Sequence, residues 1–299
     1  MKPLDISHKE ILKPYFDAFE IQASEISFTN LFMWRHKYNF HYEIIEDFLY
    51  LINVKNEATR CYSQPIGDYS RLDALKKSLQ TLMAREESLV FKKVDGTFVE
   101  VLKTLSLDHE LKEEREAFDY LYDFEALKYL PGKDYHKKKN HVNKFMKTYG
   151  DWEYLALDRE NLSLARRVND AWFQEVRDQE LLSEKEAIEE ALNHFGTLGF
   201  SGGIITLAHE PVAFTLGERL NRDTLVIHIE KALGPYQGLY AMINQQFLLH
   251  QETSYSRINR EQDLGIEGLR RAKLSYRPIG FIEKYIVKIQ GADHECQSL

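Results

Sequence analysis

The sequence predicts an α/β (α+β) fold in which mixed, mostly antiparallel sheets are flanked by helices. Short apolar runs with a two-residue period alternate along the chain with segments in which apolar residues recur every three or four positions. In the second half, strand-like segments at residues 203–208, 211–219 and 224–229 are joined by connections short enough for antiparallel hairpins.

The composition is that of an ordinary globular protein, with 43% hydrophobic and 29% charged residues in a chain of 299. No apolar run is long enough to cross a bilayer, and the N-terminus lacks the apolar core of a signal peptide, so a cytoplasmic location is expected. The net charge of −8 argues against a protein whose whole surface binds nucleic acid. Cys61 and Cys296 lie far apart, and neither has a spacing typical of a disulfide or a metal site.

The first half, residues 1–150, is predicted to form one domain in which helices alternate with short strands. Its predicted elements are helices at 1–23 and 24–37, a hairpin of strands 39–45 and 48–54, a helix at 68–85, a strand at 89–94, exposed helices at 98–107 and 112–117, and a strand at 118–122. These elements carry no recognisable catalytic motif of their own.

A lysine-rich segment at residues 133–147 ends this half. It holds six lysines and two histidines and is predicted to form a helix after a Pro-Gly break. A solvated basic face explains such a charge run. A phosphate clamp for a pyrophosphate, a lipid head group or an RNA backbone explains it as well, with Lys137, Lys138 and Asn140 as substrate-binding residues.

Residues 151–290 are predicted to form the second domain, followed by a disordered tail at 291–299. The predicted elements are a strand at 152–156, helices at 162–176 and 183–195, the three antiparallel strands, a helix at 239–249, a strand at 254–259, a basic helix at 265–273 and a strand at 280–289. A Gly-Pro-Tyr-Gln-Gly turn at 234–238 opens the 239–249 helix. Because first-turn N–H groups lack intrahelical partners and the helix dipole favours anions, this turn is suited to hold a phosphate.

The order of elements in the second half resembles that of the GNAT-type N-acyltransferase fold. A closer resemblance is to the C-terminal catalytic-domain family of bacterial phosphatidylglycerol lysyltransferases and their soluble relatives. It is carried by residues 130–147 and by HIEKA at 228–232, Gly238-Leu239-Tyr240, INRE at 258–261, DLG at 263–265, LRRAK at 269–273 and YRP at 276–278. This resemblance implies two tandem GNAT-like domains, of which the first is degenerate.

The resemblance also implies that an acyl donor lies between two splayed strands, 224–229 and 254–259, with its pyrophosphate at the 234–238 turn. The donor-binding residues are then expected to be Ile229, Lys231, Gly234, Tyr236, Gln237, Gly238, Leu239, Tyr240 and Lys273. The turn departs from the acyl-CoA loop pattern, because Pro235 removes an N–H donor and Tyr240 is bulky where a small residue is usual. A plain strand-to-helix turn is the structural alternative.

Acyl transfer needs a positioned donor, a base for the nucleophile and stabilisation of the oxyanion. Glu230 and His228 occupy alternate strand positions and are expected to face the same side, where either can act as base or orient an amine. The predicted catalytic residues are Glu230, His228, Asn259, Glu261 and Tyr276, with Tyr276 as the candidate general acid. Arg260 and Asp263 are predicted to bind substrate. Structural carboxylates, a half-buried histidine and a salt-bridged turn are the alternatives to these roles.

Three functions remain open at this stage. The first is a GNAT-like transfer of an acyl group from acyl-CoA to an amine or hydroxyl of a small polar acceptor. The second is an aminoacyl-tRNA-dependent transfer, implied by the resemblance to the lysyltransferases, with tRNA held by the 133–147 segment. The third is a non-catalytic binding protein, because a fold does not fix a function. None of the three calls for a metal ion.

Overall fold

The computed structural model describes residues 1–56, 59–176, 181–251 and 255–290. The predicted tail at 291–299, which includes Cys296, lies outside the described residues. The chain divides into two compact units, Met1–Phe118 with the residues from Ile282 onward, and Asp119–Phe281. Within the described ranges, no helix combines the length and the apolar character needed to cross a membrane.

The strands in chain order are β1 (Lys2–Pro3), β2 (Phe40–Ile45), β3 (Phe48–Asn56), β4 (Thr59–Tyr62), β5 (Ser88–Val94), β6 (Glu110–Glu113), β7 (Asp119–Asp123), β8 (Trp152–Ala156), β9 (Ser201–Leu207), β10 (Glu210–Arg219), β11 (Thr224–Ala232), β12 (Arg257–Asn259), β13 (Gly280–Ile282) and β14 (Tyr285–Gln290). The helices are α1 (Lys9–Ala18), α2 (Phe28–Met33), α3 (Arg35–Tyr38), α4 (Leu72–Met83), α5 (Gly96–Thr104), α6 (Phe124–Tyr129), α7 (His136–Thr148), α8 (Leu162–Val176), α9 (Leu182–Asn193), α10 (Phe195–Leu198), α11 (Leu239–Leu249) and α12 (Glu267–Leu274).

Each unit holds one mixed, mostly antiparallel sheet flanked by helices, and this confirms the predicted fold class. The first sheet has the order β1-β2-β3-β4-β5-β14-β6, in which β4 and β5 run parallel. The second has the order β13-β7-β12-β11-β10-β9-β8, in which β11 and β12 run parallel.

The units do not divide at Gly150, where the sequence placed the domain boundary. Residues from Asp119 onward belong to the second unit, because β7 pairs with β12 and Asp123 lies opposite Arg257. The strand predicted at 280–289 is two strands instead of one. β13 lies next to β7 in the second sheet, whereas β14 lies between β5 and β6 in the first.

The core of the first unit includes buried residues of α4, α5 and the sheet. Leu75 and Leu79 of α4, Phe98 and Leu102 of α5 and Phe91 of β5 are all fully buried. Helix α5 is therefore not the exposed helix predicted at 98–107. The helix predicted at 112–117 is also wrong in its first part, because β6 pairs there with β14.

In the second unit, α11 and α7 share a core with the sheet. Met242 and Phe247 of α11 pack in one buried cluster with Phe145 of α7, Ile205 of β9 and Leu225 of β11. Helix α11 has the predicted bounds, and it begins after Gly238, whose φ of +90° lies in the left-handed region. Because one face of each helix is buried in this cluster, the side chains on the other faces are the ones that can reach the end of β11.

Candidate functional site

β11 and β12 cease to pair within the second unit, and we call the region beyond their last pair the cleft. The two strands pair from Thr224 opposite Arg257 to Val226 opposite Asn259. There β12 ends, whereas β11 continues to Ala232 beside β10. The residues that follow the last paired position on each strand therefore lie where no other described strand pairs with β11 on that side.

A β-bulge lies at His228. In the pairing of β10 with β11, Leu216 is opposite Ile229 and Gly217 is opposite Ile227, so His228 has no residue opposite it. Bulges of this kind redirect side chains and are common beside functional sites.

Glu230 is held on both of its carboxylate oxygens. Its Oε1 accepts a hydrogen bond of 2.8 Å from Nη2 of Arg260, and its Oε2 accepts one of 3.0 Å from Nδ2 of Asn244. The Glu230 and Arg260 side chains are only 11% and 13% exposed, so this ion pair is largely shielded from water.

The Arg260 guanidinium is only partly satisfied by Glu230. Its other terminal nitrogen, Nη1, is buried and has no hydrogen-bond acceptor among the described residues. The guanidinium carbon lies 4.7 Å from the ring centroid of Tyr276 and 5.9 Å from that of Tyr122. Two aromatic faces therefore support a cation that keeps one unused donor.

Lys138 is the residue of the lysine-rich helix α7 that reaches this cleft. Its Nζ lies 3.7 Å from the ring centroid of Tyr276. Burial and the nearby charge of Arg260 lower the pKa of Lys138 to about 8, although Glu230 opposes the shift.

Tyr276 is almost fully buried, and its ring contacts both Lys138 and Arg260. Burial raises the pKa of its hydroxyl to about 12, against the opposing effect of Arg260. The hydroxyl therefore stays protonated at neutral pH, as the predicted general acid requires.

Lys273 reaches the chain that follows β12. Its ammonium donates to the main-chain carbonyl of Arg260 and, at 3.2 Å, to that of Glu261. Burial and repulsion by Arg260 lower the pKa of Lys273 to about 8. Because Glu261 has a left-handed φ of 55°, these two bonds help to hold an unusual backbone conformation.

His228 lies between two carboxylates. Its Nδ1 is 2.7 Å from Oε1 of Glu261, and its Nε2 is 3.0 Å from Oε1 of Glu218. Burial opposes the charged ring, but the two hydrogen-bonded carboxylates outweigh burial and raise the pKa of His228 to about 10. The ring is thus an imidazolium that donates from both nitrogens and has no free lone pair with which to accept a proton.

Two other predicted residues have their polar atoms occupied inside the unit. Asn259 donates to Asp119 at 2.9 Å and accepts from the main-chain N–H of Glu261. Asp263 accepts from Nε of Arg270 at 2.8 Å and from the hydroxyl of Tyr120 at 2.7 Å. Burial favours a neutral Asp263, but these donors hold its pKa down at about 2. The bonds of both side chains fix the segment around Arg260.

The 234–238 turn carries negative groups close to its backbone. The N–H of Gly234 donates to Oε2 of Glu175 at 2.9 Å. At Gly238, an added Cβ would clash with the main-chain carbonyl oxygen of His141 in α7. A carboxylate and a carbonyl oxygen therefore lie where an anionic pyrophosphate is expected to bind.

Lys231 points into a separate aromatic cluster. Its Nζ lies 3.4 Å from the ring centroid of Trp172 and 2.9 Å from Oε1 of Glu184. Burial lowers its pKa, and Glu184 opposes that shift. Trp172 in turn donates through Nε1 to the hydroxyl of Tyr240 at 3.1 Å.

The remaining predicted residues are divided between the core and the surface. Ile229 and Leu239 are buried, and Tyr236 packs against the ring of Tyr149. Gln237, Lys137 and Asn140 are exposed. The structure thus brings together Glu230, Arg260, Lys138, Tyr276 and Lys273, with His228 and Glu261 beside them. Within the described ranges, no group of three or more His, Cys, Asp or Glu side chains is placed to hold a metal ion.

Four contributors to this region were absent from the sequence prediction. They are Glu218, Asn244, Tyr122 and Glu175. Glu218 lies on the strand that pairs with β11, and its contact with His228 depends on the bulge. The sequence does indicate the orientation of Lys138, because Lys138 shares a helical face with the apolar residues Val142 and Phe145, and both of these are buried.

Comparison with known proteins agrees with this architecture. Residues 16–288 match the family described as phosphatidylglycerol lysyltransferase, C-terminal. A conserved protein of unknown function from Bacteroides thetaiotaomicron VPI-5482 is 31% identical, with a TM-score of 0.89 over 97% of this chain and 99% of that one.

Two more distant structures share the fold. L-PGS from Bacillus licheniformis is 15% identical, with a TM-score of 0.68 over 97% of this chain and 93% of that one. A tandem GNAT protein from the clavulanic acid biosynthesis pathway is 8% identical, with a TM-score of 0.50 over 97% of this chain and 98% of that one. The fold is thus a tandem GNAT-like fold, and the chain belongs to the phosphatidylglycerol lysyltransferase C-terminal family.

Proposed function

We propose that this protein transfers an aminoacyl group from an aminoacyl-tRNA to an amine or hydroxyl of a polar acceptor. The observation that carries the proposal is the position of α7. One face of this helix presents lysines to solvent, and another delivers Lys138 into the cleft beside Arg260 and Tyr276. Helix α7 therefore contributes both to a surface that can bind a polyanion and to the cleft in which we expect acyl transfer.

The outer face of α7 has the chemistry of an RNA-backbone contact. Lys137, Lys139, Lys144 and Lys147 are all exposed. The net charge of the chain is −8, so this cationic stretch stands out against an acidic remainder. Contacts between clustered lysines and phosphates supply affinity that does not depend on sequence and falls with salt.

The family match supports an ester of an amino acid as the donor. The family's description names transfer of a lysyl group to phosphatidylglycerol, and the matched region is the C-terminal one. The cleft supports the same chemistry. We assign Glu230 to accept the acceptor's proton and Tyr276 to protonate the departing ribose oxygen. The acyl group then moves from that oxygen to the acceptor nitrogen or oxygen.

Acyl-CoA is the second candidate donor. The separation of β11 from β12 and the left-handed Gly238 before α11 favour it, because both features suit a GNAT-type donor site. Against it, the Glu175 carboxylate and the His141 carbonyl oxygen repel a pyrophosphate at that turn. Because of this electrostatic cost, acyl-CoA is the less favoured donor.

The test is retention of aminoacyl-tRNA by the full chain on a filter at several salt concentrations. The wild type is expected to retain it, and a variant with Lys137→Gln, Lys139→Gln and Lys144→Gln is expected to bind more weakly. The slope of log affinity against log salt should fall by about one for each lysine–phosphate interaction that the substitutions remove. A variant with Lys76→Gln, Lys92→Gln and Lys103→Gln, three exposed lysines of the first unit, serves as the control for net charge.

Absence of salt-sensitive retention by the wild type would refute the tRNA proposal. A rise in thermal stability with acetyl-CoA under those conditions would establish the second candidate, since a ligand at one hundred times its Kd adds about 2.7 kcal/mol of stability. No response to either donor would leave a non-catalytic binding protein as the function.

A further inference from the structure

The cleft between β11 and β12 holds two cationic groups, Nη1 of Arg260 and the ammonium of Lys138, that donate no hydrogen bond to a described residue. We propose that Arg260 and Lys138 together form a binding site for one oxyanionic group of a ligand, a phosphate or a carboxylate. This inference rests on the proposed function, because it assigns a recognition role to two residues of the same cleft.

Arg260 supplies the first donor. Its Nη2 is bonded to Glu230 at 2.8 Å, but its Nη1 is buried without an acceptor among the described residues. A buried donor that lacks a partner is unfavourable, and more so when it is charged. Such a group in a folded protein calls for an explanation, and a ligand oxygen that completes its bonding is the one that we propose here.

Lys138 supplies the second donor. Its ammonium contacts the Tyr276 ring but forms no hydrogen bond or ion pair with another described residue. The side chain is nevertheless half-buried, and Arg260 lies close enough to repel it. If Lys138 bound nothing, its ammonium would be more stable in water, where the charged ends of long lysine side chains usually lie.

The carboxylates of this region are already engaged. Both oxygens of Glu230 accept hydrogen bonds, one from Arg260 and one from Asn244. Glu261 is bonded to His228, which is itself cationic. Further back, Asp119 accepts from Asn259. Lys138 is therefore left facing Arg260 with no carboxylate of its own.

The chemistry of the site selects for oxygen and negative charge. The ammonium and the guanidinium both donate hydrogen bonds only, and neither can accept one. Bonds from charged donors to an anion are about twice as strong as neutral ones. Two sources of such a group are consistent with the proposed function, namely a phosphate near the acylated end of the tRNA and an acidic group of the acceptor.

The experiment uses the full chain and two simple probes, sulfate for a phosphate and acetate for a carboxylate. Affinity is measured by calorimetric titration at constant ionic strength, with chloride as the balancing anion. The wild type is expected to bind at least one probe. Lys138→Gln is expected to weaken that binding by about tenfold or more, which corresponds to the loss of one charge-assisted hydrogen bond.

Lys76→Gln is the control, because it removes the same charge from an exposed position of α4, outside the lysine-rich helix. It should leave probe affinity within about twofold of the wild type. Lys138→Arg retains the charge and is expected to retain binding. Circular dichroism of each variant establishes that it is folded, and Lys138 has no bonded partner among the described residues whose loss would unfold the chain.

Tighter binding of sulfate assigns the site to a phosphate, and tighter binding of acetate assigns it to a carboxylate. Either result supports the proposal if it depends on Lys138 and not on Lys76. The proposal is overturned if the wild type binds neither probe, or if both substitutions weaken binding equally. Retention of tRNA by the wild type together with absent probe binding would reject this site alone and leave the proposed function in place.

Discussion

His228 is expected to stabilise the second unit as a buried cation, and its replacement by Gln tests this role. The imidazolium donates to Glu261 at 2.7 Å and to Glu218 at 3.0 Å. The His228 side chain is not exposed, and the two carboxylates are only 20% and 12% exposed. Removing the cation takes away the charged hydrogen-bond donor that these two largely buried acids share. Loss of one member of a buried ionic group costs about 3 to 5 kcal/mol, and we expect a destabilisation of that size at pH 7.

The stabilisation that His228 provides is expected to depend on pH, and its pKa determines the direction of the change. The pKa of His228 is raised in the folded protein from 6.5 to about 10. A raised pKa means that the stabilisation is complete below about pH 6.5 and disappears as pH rises through about 10. The difference in unfolding free energy between wild type and His228→Gln should therefore shrink between pH 7 and about pH 10.

Urea unfolding followed by tryptophan fluorescence and circular dichroism measures this difference. His141→Gln is the control, because His141 is exposed on α7 and its replacement should change stability by less than about 0.5 kcal/mol. A cost below about 1 kcal/mol for His228→Gln, or a cost that stays constant across the pH range, would refute the buried imidazolium.

Two further predictions concern the turn before α11 and the titration of the cleft. Gly238→Ala is expected to lower the free energy of unfolding by about 3 kcal/mol or more in the same urea assay, because the φ of residue 238 is +90° and the new Cβ meets a main-chain carbonyl. Gly268→Ala is the control, because nothing lies within 4 Å of the added Cβ, and it should change the free energy of unfolding by no more than about 1 kcal/mol. Equal effects of the two substitutions would contradict the clash at Gly238. Sulfate affinity should fall as pH rises through about 8, because Lys138, which faces the charges of Arg260 and Glu230, loses its proton there. Lys273, whose pKa is also lowered to about 8, titrates in the same range, so the wild type is expected to show a larger fall than Lys138→Gln. Calorimetry at several pH values measures the change, and equal falls in the two proteins would contradict this assignment.

The local sequence pattern predicts that α11 and β11 exist beside the cleft, but it gives the correct bounds only for α11. The turn at 234–238 and the apolar face behind it located α11 with its observed bounds. Strand β11 was predicted to end at 229 but reaches Ala232, because its pairing with β10 continues as far as Ala213 opposite Ala232. The end of a strand that depends on pairing with a neighbouring strand cannot be predicted from the residues of that strand alone.

Long-range pairing explains what the sequence did not reveal. The boundary at Gly150 failed because β7 joins the second sheet beside β12, more than a hundred positions later in the chain. The same pairing brings Tyr122 to the cleft. The contact of Glu218 with His228 depends on a register shift between two strands. Register is fixed by packing across a sheet and not by the composition of either strand.

The cleft is more consistent with catalysis by positioning than with catalysis by a strong base. His228 donates from both ring nitrogens, and Asn259 and Asp263 are bound within the unit. Nη1 of Arg260 and the ammonium of Lys138 remain without a hydrogen-bond acceptor among the described residues. An aminoacyl ester is already activated, so a site that holds it beside the acceptor and stabilises developing charge can supply much of the acceleration. In the proposed transfer, the internal bonds of His228, Asn259 and Asp263 have an indirect role, because they fix the backbone that places Arg260.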